Sequence, residues 1–199
     1  MTKTVDYYFA LPSPWTYLGG ERLIAITRRT GATIAYKPVD VGRVFAAAGT
    51  AHLKDRPAAR KTYRLVELRR WRDFLGMALN LEPKFFPVEQ RLAACMIIAA
   101  RQKGQDVGPL ANAFLRAVWA EDKNIADAAT CEEIAESIGT VGRTLVEAAS
   151  DLDVLTEYDA NTDEAIARQV FGLPMYFFKD QPYWGQDRLD LLERALQAD

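Results

Sequence analysis

The eleven residues from Tyr7 to Tyr17, YYFALPSPWTY, constrain the fold of this chain more than any other stretch. Their apolar first half has the composition of a β-strand, and Pro12 ends that strand. Ser13 and Pro14 then occupy the two positions that helix starts favour, the N-cap and the first helical residue. The pattern predicts a strand that passes directly into a helix.

Ser13 at this junction has two interpretations. A helix start presents unpaired backbone N–H groups and the positive end of the helix dipole, and the serine hydroxyl adds one more donor. Such a junction stabilises a bound anion, which makes it our candidate active site. The alternative is that Ser13 only caps its helix. The stretch by itself leaves both interpretations open.

The segments around this junction predict a βαβ unit. The first strand extends from Thr4 to Ala10, and the first helix from Pro14 to about Arg29, with Gly31 as its C-terminal stop. A second strand is predicted over 33–37. Two strands separated by one helix in so short a span run parallel, with a right-handed crossover.

The middle of the chain predicts helices. From about residue 46 to residue 158 the apolar residues recur at helical spacing, and strand patterns are missing. Prolines within 80–87 exclude a helix through that segment. The segment from Thr130 to Glu133 has the pattern of a capping box, so a helix is expected to begin there. Thr162 is expected to begin another helix, which reaches Val170.

Strand patterns return near the end of the sequence. The segment from Leu173 to Phe178 predicts a strand with a proline near its start, followed by a short partner strand and a final helix over 189–196, which together form a ββα unit. The α/β architecture that follows has a sheet domain of residues 1–45 and 159–199 and an inserted helical domain of residues 46–158.

Composition narrows the class of protein. A net charge of −2 over 199 residues gives no basic footprint, which argues against nucleic acid as the main partner. No apolar run reaches the ~18 residues that a membrane span needs, and the first residues lack the pattern of a secretory signal. We therefore expect a cytoplasmic protein with no membrane partner.

Metal-binding and redox residues are few. His52, the only histidine, lies in a polar connection and is interpreted as a solvated loop residue rather than a base. Cys95 and Cys131 are far apart, in apolar helical patterns and outside any C-x-x-C motif, so we interpret them as buried free thiols. We expect no metal site.

Four blocks of the sequence resemble one family: FALPSPWTYL at 9–18, RKTYRLVELRRW at 60–71, FGLP at 171–174 and WGQDRLD at 184–190. Together with the βαβ and ββα units they resemble the DsbA-like branch of the thioredoxin fold. Within that branch the chain is similar to the glutathione-dependent 2-hydroxychromene-2-carboxylate isomerases, relatives of the kappa-class glutathione transferases. The resemblance implies a thioredoxin-like sheet domain with a large all-helical insertion.

The resemblance assigns roles around glutathione as cofactor. Ser13 would donate a hydrogen bond to the glutathione sulfur. Because serine stands where DsbA-like oxidoreductases have a C-x-x-C motif, dithiol redox chemistry is not available. Pro174 would be the cis-proline of the fold and would align the backbone of Leu173 with the cysteinyl unit. Gln186 and Asp187 would hold the γ-glutamyl carboxylate and amine, although Asp187 by itself also fits a simple helix-start acid.

Basic residues of the 60–71 block are interpreted from the resemblance and from the charge pattern. Arg60 stands where the family has a lysine that contacts glutathione, and Lys61 is its neighbour, so we expect one of the two to be the donor. Thr50 stands where the family often has an asparagine. The other arginines of this helix are interpreted as a solvated face, and they are Arg64, Arg69, Arg70 and Arg72.

The substrate that the resemblance implies is a small aromatic carboxylate. It would pack against Trp15, Tyr17 or Phe45, and its carboxylate would meet Arg60 or Lys61. The implied reaction is an isomerisation by reversible thiol addition and elimination, in a homodimer. Two alternatives stay open: a kappa-like glutathione transferase, in which the adduct is the product, and a non-catalytic DsbA-like binding module.

Overall fold

The computed structural model describes residues 3–199. Its strands are β1 (Thr4–Phe9), β2 (Thr33–Pro38), β3 (Met175–Phe178) and β4 (Gln181–Trp184). They form a mixed sheet in the order β2-β1-β3-β4. β1 is parallel to β2 and antiparallel to β3, and β3 is antiparallel to β4. The predicted βαβ and ββα units are therefore present and form one sheet.

Helices make up most of the remaining described chain. They are α1 (Pro14–Thr30), α2 (Val41–Ala47), α3 (Ala58–Leu75), α4 (Arg91–Gln102), α5 (Gly108–Trp119), α6 (Ala128–Glu136), α7 (Gly142–Ala148), α8 (Leu152–Ala167) and α9 (Leu189–Gln197). Short 3-10 helices lie at Leu53–Asp55 and Gln186–Arg188. Seven α-helices separate β2 from β3, which confirms the helical insertion. In residues 3–199, no helix combines the length and apolarity that crossing a membrane requires.

Two predicted helix starts are wrong. α6 begins earlier than the capping box because Asp127 is the N-cap, and its carboxylate accepts from the Thr130 N–H at 2.8 Å. α8 begins at Leu152, ten residues before the predicted start at Thr162. Thr162 lies inside that helix, where its hydroxyl donates to the Tyr158 carbonyl one turn earlier.

The predicted division into a sheet domain and a helical domain stays a prediction. Its first boundary, at 45/46, lies within α2, and its second boundary, at 158/159, lies within α8. α2 was not predicted; Asp40 caps it by accepting from the N–H groups of Gly42 and Arg43. Both helices continue across the boundaries without a linker.

Aromatic side chains alternate between the two faces of β1. Tyr7 stacks on Phe9, with 4.7 Å between ring centroids, and on Tyr176 at 5.2 Å. Tyr8 lies on the other face, beside Phe177. All five residues are buried, so hydrophobic cores cover both faces of the sheet. Ala10 and Leu11 after β1 are still buried, and Pro12 and Ser13 are the first residues of the turn that are partly exposed.

Candidate active site

A cavity of about 960 Å³ opens at the turn between β1 and α1. Eight of the ten residues that the sequence singles out line it, namely Ser13, Trp15, Phe45, Arg60, Lys61, Leu173, Gln186 and Asp187. They come from separate parts of the chain, so the fold brings them together. The remaining two, Tyr17 and Pro174, lie outside the lining.

Ser13 caps α1 and is partly exposed to the cavity. Its Oγ accepts a hydrogen bond from the Thr16 N–H at 3.3 Å, which confirms the capping role. The same hydroxyl donates to the Leu173 carbonyl at 3.3 Å. The Trp15 N–H, the first free donor of this helix, has no hydrogen-bond partner within residues 3–199. Two donors of one helix start are thus near each other at the cavity wall.

The backbone just before Ser13 is held by two side chains from the helical insertion. Gln90 Oε1 accepts from the Leu11 N–H at 2.7 Å, and Trp119 Nε1 donates to the Leu11 carbonyl at 3.2 Å. Gln90 Nε2 also donates to the Val39 carbonyl at 2.7 Å. Both side chains are buried. These bonds fix the turn that presents Ser13.

The Leu173–Pro174 peptide bond is cis, as the resemblance implied. The Pro174 carbonyl accepts from the Gly185 N–H at 2.9 Å, which joins the start of β3 to the end of β4. Gly185 has a φ of +91°, and a Cβ there would lie 2.6 Å from Asp187 Oδ1. This position therefore requires glycine.

Gln186 and Asp187 begin the 3-10 helix that leads into α9. Gln186 is buried, and its Oε1 accepts from the Arg22 guanidinium at 2.6 Å. Within residues 3–199 its Nε2 and backbone N–H have no acceptor, so these are the groups it offers to a ligand. Asp187 is exposed, and its carboxylate accepts from Arg188 at 2.7 Å.

The lining of the cavity is strongly cationic. Among the described residues it includes six basic side chains and two carboxylates, Glu67 and Asp187. Each carboxylate already accepts from an arginine, Arg70 at 2.6 Å and Arg188 at 2.7 Å. We therefore expect a ligand of this cavity to carry negative charge.

Arg60 and Lys61 lie exposed at the rim, in the first turn of α3. Lys61 Nζ donates to the Lys54 carbonyl at 3.2 Å. The Arg60 side chain has no hydrogen bond or ion pair within the described residues, so it is free to bind a ligand. Farther along α3, Arg69 and Arg70 are exposed, as predicted.

Arg64 is partly buried, so its assignment to a solvated helix face is wrong. Its guanidinium carbon lies 5.6 Å from the centroid of the Phe86 ring and 5.9 Å from that of Trp119. Burial lowers the pKa of Arg64 to about 10, and the nearby charge of Arg56 acts in the same direction. The side chain is still positively charged at neutral pH.

Aromatic side chains cover part of the cavity. Trp15 and Phe45 line it, and Phe45 also packs against the His52 ring at 5.9 Å. Tyr17 is 9% exposed, and its hydroxyl donates to the Ala78 carbonyl at 2.8 Å. Tyr17 therefore belongs to the core, and we omit it from the proposed substrate contacts.

Cys95 and Cys131 are buried free cysteines, as predicted. Burial raises the pKa of Cys95 to about 11 and that of Cys131 to about 12. Both are neutral thiols at physiological pH, and neither lines the cavity. Chemistry that needs a thiolate in this cavity therefore requires a sulfur from outside the chain.

Three residues of the site were not predicted from the sequence, namely Arg64, Gln90 and Trp119. Only Arg64 had left a signal in the sequence. Residues 60, 64, 67 and 71 recur every three or four positions along α3 and all line the cavity. That spacing could have identified Arg64. Gln90 and Trp119 left no comparable signal, because they act on the backbone of Leu11, far away in sequence.

Comparison with known proteins identifies the family of this chain. The family model of the DSBA-like thioredoxin domain matches residues 4–197. The 2-hydroxychromene-2-carboxylate isomerase of Sphingobium xenophagum is 34% identical over 202 residues, which cover 98% of this chain and 99% of that protein. The isomerase of the same name from Pseudomonas putida is 33% identical over 196 residues, covering 96% and 93%.

Comparison with solved structures gives the same family and the same fold. A structure of 2-hydroxychromene-2-carboxylate isomerase aligns with a TM-score of 0.85 at 29% identity, covering 98% of this chain and 95% of that one. The cytosolic disulfide reductase DsbM of Pseudomonas aeruginosa, in a structure with GSH, aligns with a TM-score of 0.69 at 14% identity, covering 98% and 96%. At that identity the second likeness shows the fold alone.

The fold and the family match define a DsbA-like thioredoxin-fold protein whose cysteine motif is replaced by Ser13-Pro14-Trp15-Thr16. Within that class, the chain belongs to the 2-hydroxychromene-2-carboxylate isomerase family, and it is an enzyme of the isomerase class. The relatives thereby argue against the non-catalytic binding module.

Proposed function

We propose that this enzyme uses glutathione as a cofactor to isomerise a small aromatic carboxylate of the 2-hydroxychromene-2-carboxylate or benzylidenepyruvate type. The observation that carries the proposal is the position of Ser13. Its hydroxyl lies at the start of the 17-residue helix α1, in a cationic cavity, within hydrogen-bond distance of the Leu173 carbonyl. By the family resemblance, the glutathione sulfur would lie beside this hydroxyl.

Binding of the cysteinyl unit would free the Ser13 hydroxyl for its proposed task. In the structure the hydroxyl donates to the Leu173 carbonyl, the group expected to accept from the cysteinyl N–H. Once that carbonyl has a new donor, the hydroxyl can turn to the sulfur. The Trp15 N–H supplies a second donor from the same helix start.

The required change in thiol acidity is within reach of these groups. A free thiol has a pKa of about 8.5 and is only a few per cent thiolate at pH 7. Lowering the pKa by about two units, which corresponds to about 2.7 kcal/mol, makes most of it thiolate. A hydrogen bond to a charged acceptor contributes about 1.5 to 3 kcal/mol and a helix start about 0.3 to 1 kcal/mol.

The remaining residues would hold the two ends of the tripeptide. Gln186 offers its Nε2 and backbone N–H to the γ-glutamyl carboxylate, and Asp187 offers a carboxylate to the amine. Arg60 or Lys61, at the opposite rim, would take the other carboxylate. Each of these residues lines the cavity that contains the Ser13 hydroxyl, which supports a single extended tripeptide site.

Glutathione, when bound, would supply a thiolate that adds to a conjugated carbon, allows rotation about the bond that was double, and leaves unchanged on elimination. The protein's own part is to activate that sulfur through Ser13 and to orient the substrate. Trp15 and Phe45 offer flat apolar surface for an aromatic ring. Orientation of this kind accounts for a large part of many enzymatic accelerations.

Measuring the stoichiometry of glutathione tests this function directly. Substrate and glutathione are followed together during turnover of 2-hydroxychromene-2-carboxylate. We expect the substrate to reach isomerisation equilibrium while the glutathione concentration stays constant, and we expect no turnover without glutathione. Consumption of glutathione in step with substrate would establish the kappa-like transferase instead.

An Asp187→Asn variant tests the tripeptide site. We expect its Kd for glutathione, measured by calorimetry, to rise about tenfold, because one charge-assisted hydrogen bond to the amine is lost. Asp163→Asn is the matched control, since Asp163 is also exposed and paired with an arginine but lies outside the cavity. Equal affinities of the two variants would remove Asp187 from the site.

We also propose that the enzyme acts as a homodimer. The proposal follows from the family resemblance. Light scattering coupled to size exclusion measures the mass of the particle. A mass of twice 22.3 kDa is expected, and a mass equal to that of one chain would contradict the dimer.

A further inference from the structure

Arg64 is a charged side chain of the cavity that has no anionic partner. No carboxylate lies within salt-bridge distance of it in residues 3–199, and it makes no hydrogen bond there. Glu67, one helical turn away, accepts instead from Arg70 at 2.6 Å. Partly buried arginines are ordinarily paired with an acid, because leaving the charge without a partner is costly.

The surroundings of Arg64 keep its charge directed at the cavity. The guanidinium packs against Phe86 and Trp119, whose rings lie 5.0 Å apart. Aromatic faces stabilise a guanidinium without neutralising it, and they leave its N–H groups free to donate. Arg56 lies near enough for its charge to affect Arg64 and also lines the cavity. Two neighbouring cations that line one cavity favour an anion there.

Contacts through Trp119 connect Arg64 to the turn that carries Ser13. The Trp119 ring lies under the guanidinium, and its indole N–H binds the Leu11 carbonyl, two residues before Ser13. Of the proposed tripeptide contacts, Leu173 lies just before β3, Gln186 and Asp187 lie between β4 and α9, and Arg60 and Lys61 lie in the first turn of α3. Arg64 lies one helical turn beyond Arg60, and Trp119 links it to the backbone just before Ser13.

We infer that Arg64 binds the carboxylate of the aromatic substrate, and that it does so in place of Arg60 or Lys61. The inference rests on the proposed function and deepens it by naming the residue that selects for a carboxylate. The planar guanidinium presents two parallel N–H donors to the two oxygens, while its neighbour Phe86 adds aromatic surface. Arg60 and Lys61 remain available for glutathione.

The test compares Arg64→Gln with Arg69→Gln, a matched change on the exposed face of the same helix. Binding of 2-naphthoate, a bicyclic aromatic carboxylate that glutathione does not attack, is measured by calorimetry for the glutathione-loaded enzyme. Its neutral amide, 2-naphthamide, serves as the uncharged probe. Turnover of 2-hydroxychromene-2-carboxylate and the Kd for glutathione are measured in parallel. The variant Arg64→Lys tests whether a positive charge without the planar guanidinium restores part of the binding.

We expect Arg64→Gln to raise the Kd for 2-naphthoate and the KM for the substrate by about 10- to 100-fold, as for loss of a charge-assisted pair. The Kd values for 2-naphthamide and glutathione should stay within about twofold. Arg69→Gln should match the wild type, and Arg64→Lys should recover part of the loss. We expect KM to rise while kcat is largely kept, because Arg64 would bind the carboxylate equally strongly in the ground state and in the transition state.

Two results would overturn the inference. One is equal 2-naphthoate affinity in the wild type and Arg64→Gln. The other is a loss of glutathione affinity in Arg64→Gln as large as the loss for 2-naphthoate, which would assign the guanidinium to the tripeptide. A wild type that binds 2-naphthoate through Arg64 but isomerises nothing would support the inference and overturn the proposed function.

Discussion

A Ser13→Ala enzyme is expected to lose about one order of magnitude in kcat/KM at pH 7 while it still binds glutathione. Without the hydroxyl donor the pKa of the bound thiol should return from about 6.5 to about 8, so the thiolate fraction at pH 7 falls from about three quarters to about one tenth. Steady-state kinetics with saturating glutathione measure the effect. The loss should appear in kcat, because thiolate formation precedes the chemical step.

This substitution also removes a helix cap, so stability has to be separated from catalysis. Loss of an N-cap costs about 0.5 to 2 kcal/mol of stability. Asp127→Ala is the matched control, since Asp127 caps α6 outside the cavity with a 2.8 Å bond to the Thr130 N–H. It should lose similar stability and keep its activity. Ser13→Thr retains a hydroxyl and should keep more activity than Ser13→Ala. Equal activities of Ser13→Ala and Asp127→Ala would contradict the proposed role.

A Gln90→Leu variant is expected to lose about 2 to 6 kcal/mol of stability. The side chain accepts from the Leu11 N–H and donates to the Val39 carbonyl, both at 2.7 Å and both buried. Leucine has nearly the same size but leaves those two backbone groups unpaired, at about 1 to 3 kcal/mol each. For a chain of this length the melting temperature should fall by about 4 to 24 °C.

The same variant should lower activity at temperatures where it is still folded. Leu11 is two residues before Ser13, so loosening its backbone allows the Ser13 hydroxyl to move away from the sulfur. Gln102→Leu is the control, because Gln102 is an exposed glutamine on α4 whose Nε2 donates to Glu157 at 2.9 Å. It should change stability by less than about 0.5 kcal/mol. The expected fall in melting temperature is at least ~4 °C. A melting temperature for Gln90→Leu within about 2 °C of that of Gln102→Leu would therefore argue against the hold of Gln90 on the Leu11 backbone.

The sequence predicted those parts of the fold that short-range chemistry determines. The strand over 4–10, the Ser13 cap and the helix that follows depend on neighbouring residues, and the structure has them nearly as predicted. α3 likewise depends on its own residues, which form helices readily, and on Gly76, which ends it in the left-handed conformation. Where two caps compete, as Asp127 and Thr130 do before α6, local pattern alone does not decide which one is used.

The parts of the site that escaped prediction depend on contacts between distant segments. The role of Gln90 is visible once Leu11 and Val39, 79 and 51 residues away, lie beside it. Arg64 and Arg69 have the same charge and lie on the same helix. Arg64 is partly buried because it packs against Phe86 and Trp119, whereas Arg69 is exposed. Tyr17 was assigned to the cavity from its nearness to Ser13 in sequence, whereas the turn of the helix directs it into the core.

The pKa of the glutathione thiol on the enzyme tests the central claim most directly. Thiolate absorbance in the ultraviolet is titrated for glutathione bound to the wild type and to Ser13→Ala. The account predicts a pKa of about 6.5 on the wild type and of about 8 on Ser13→Ala, where the helix start still acts on the sulfur. Glutathione affinity should accordingly rise with pH between about 6.5 and the free-thiol value of about 8.5, and much more in the wild type than in Ser13→Ala. A bound thiol that titrates near 8.5 on both proteins would contradict the account.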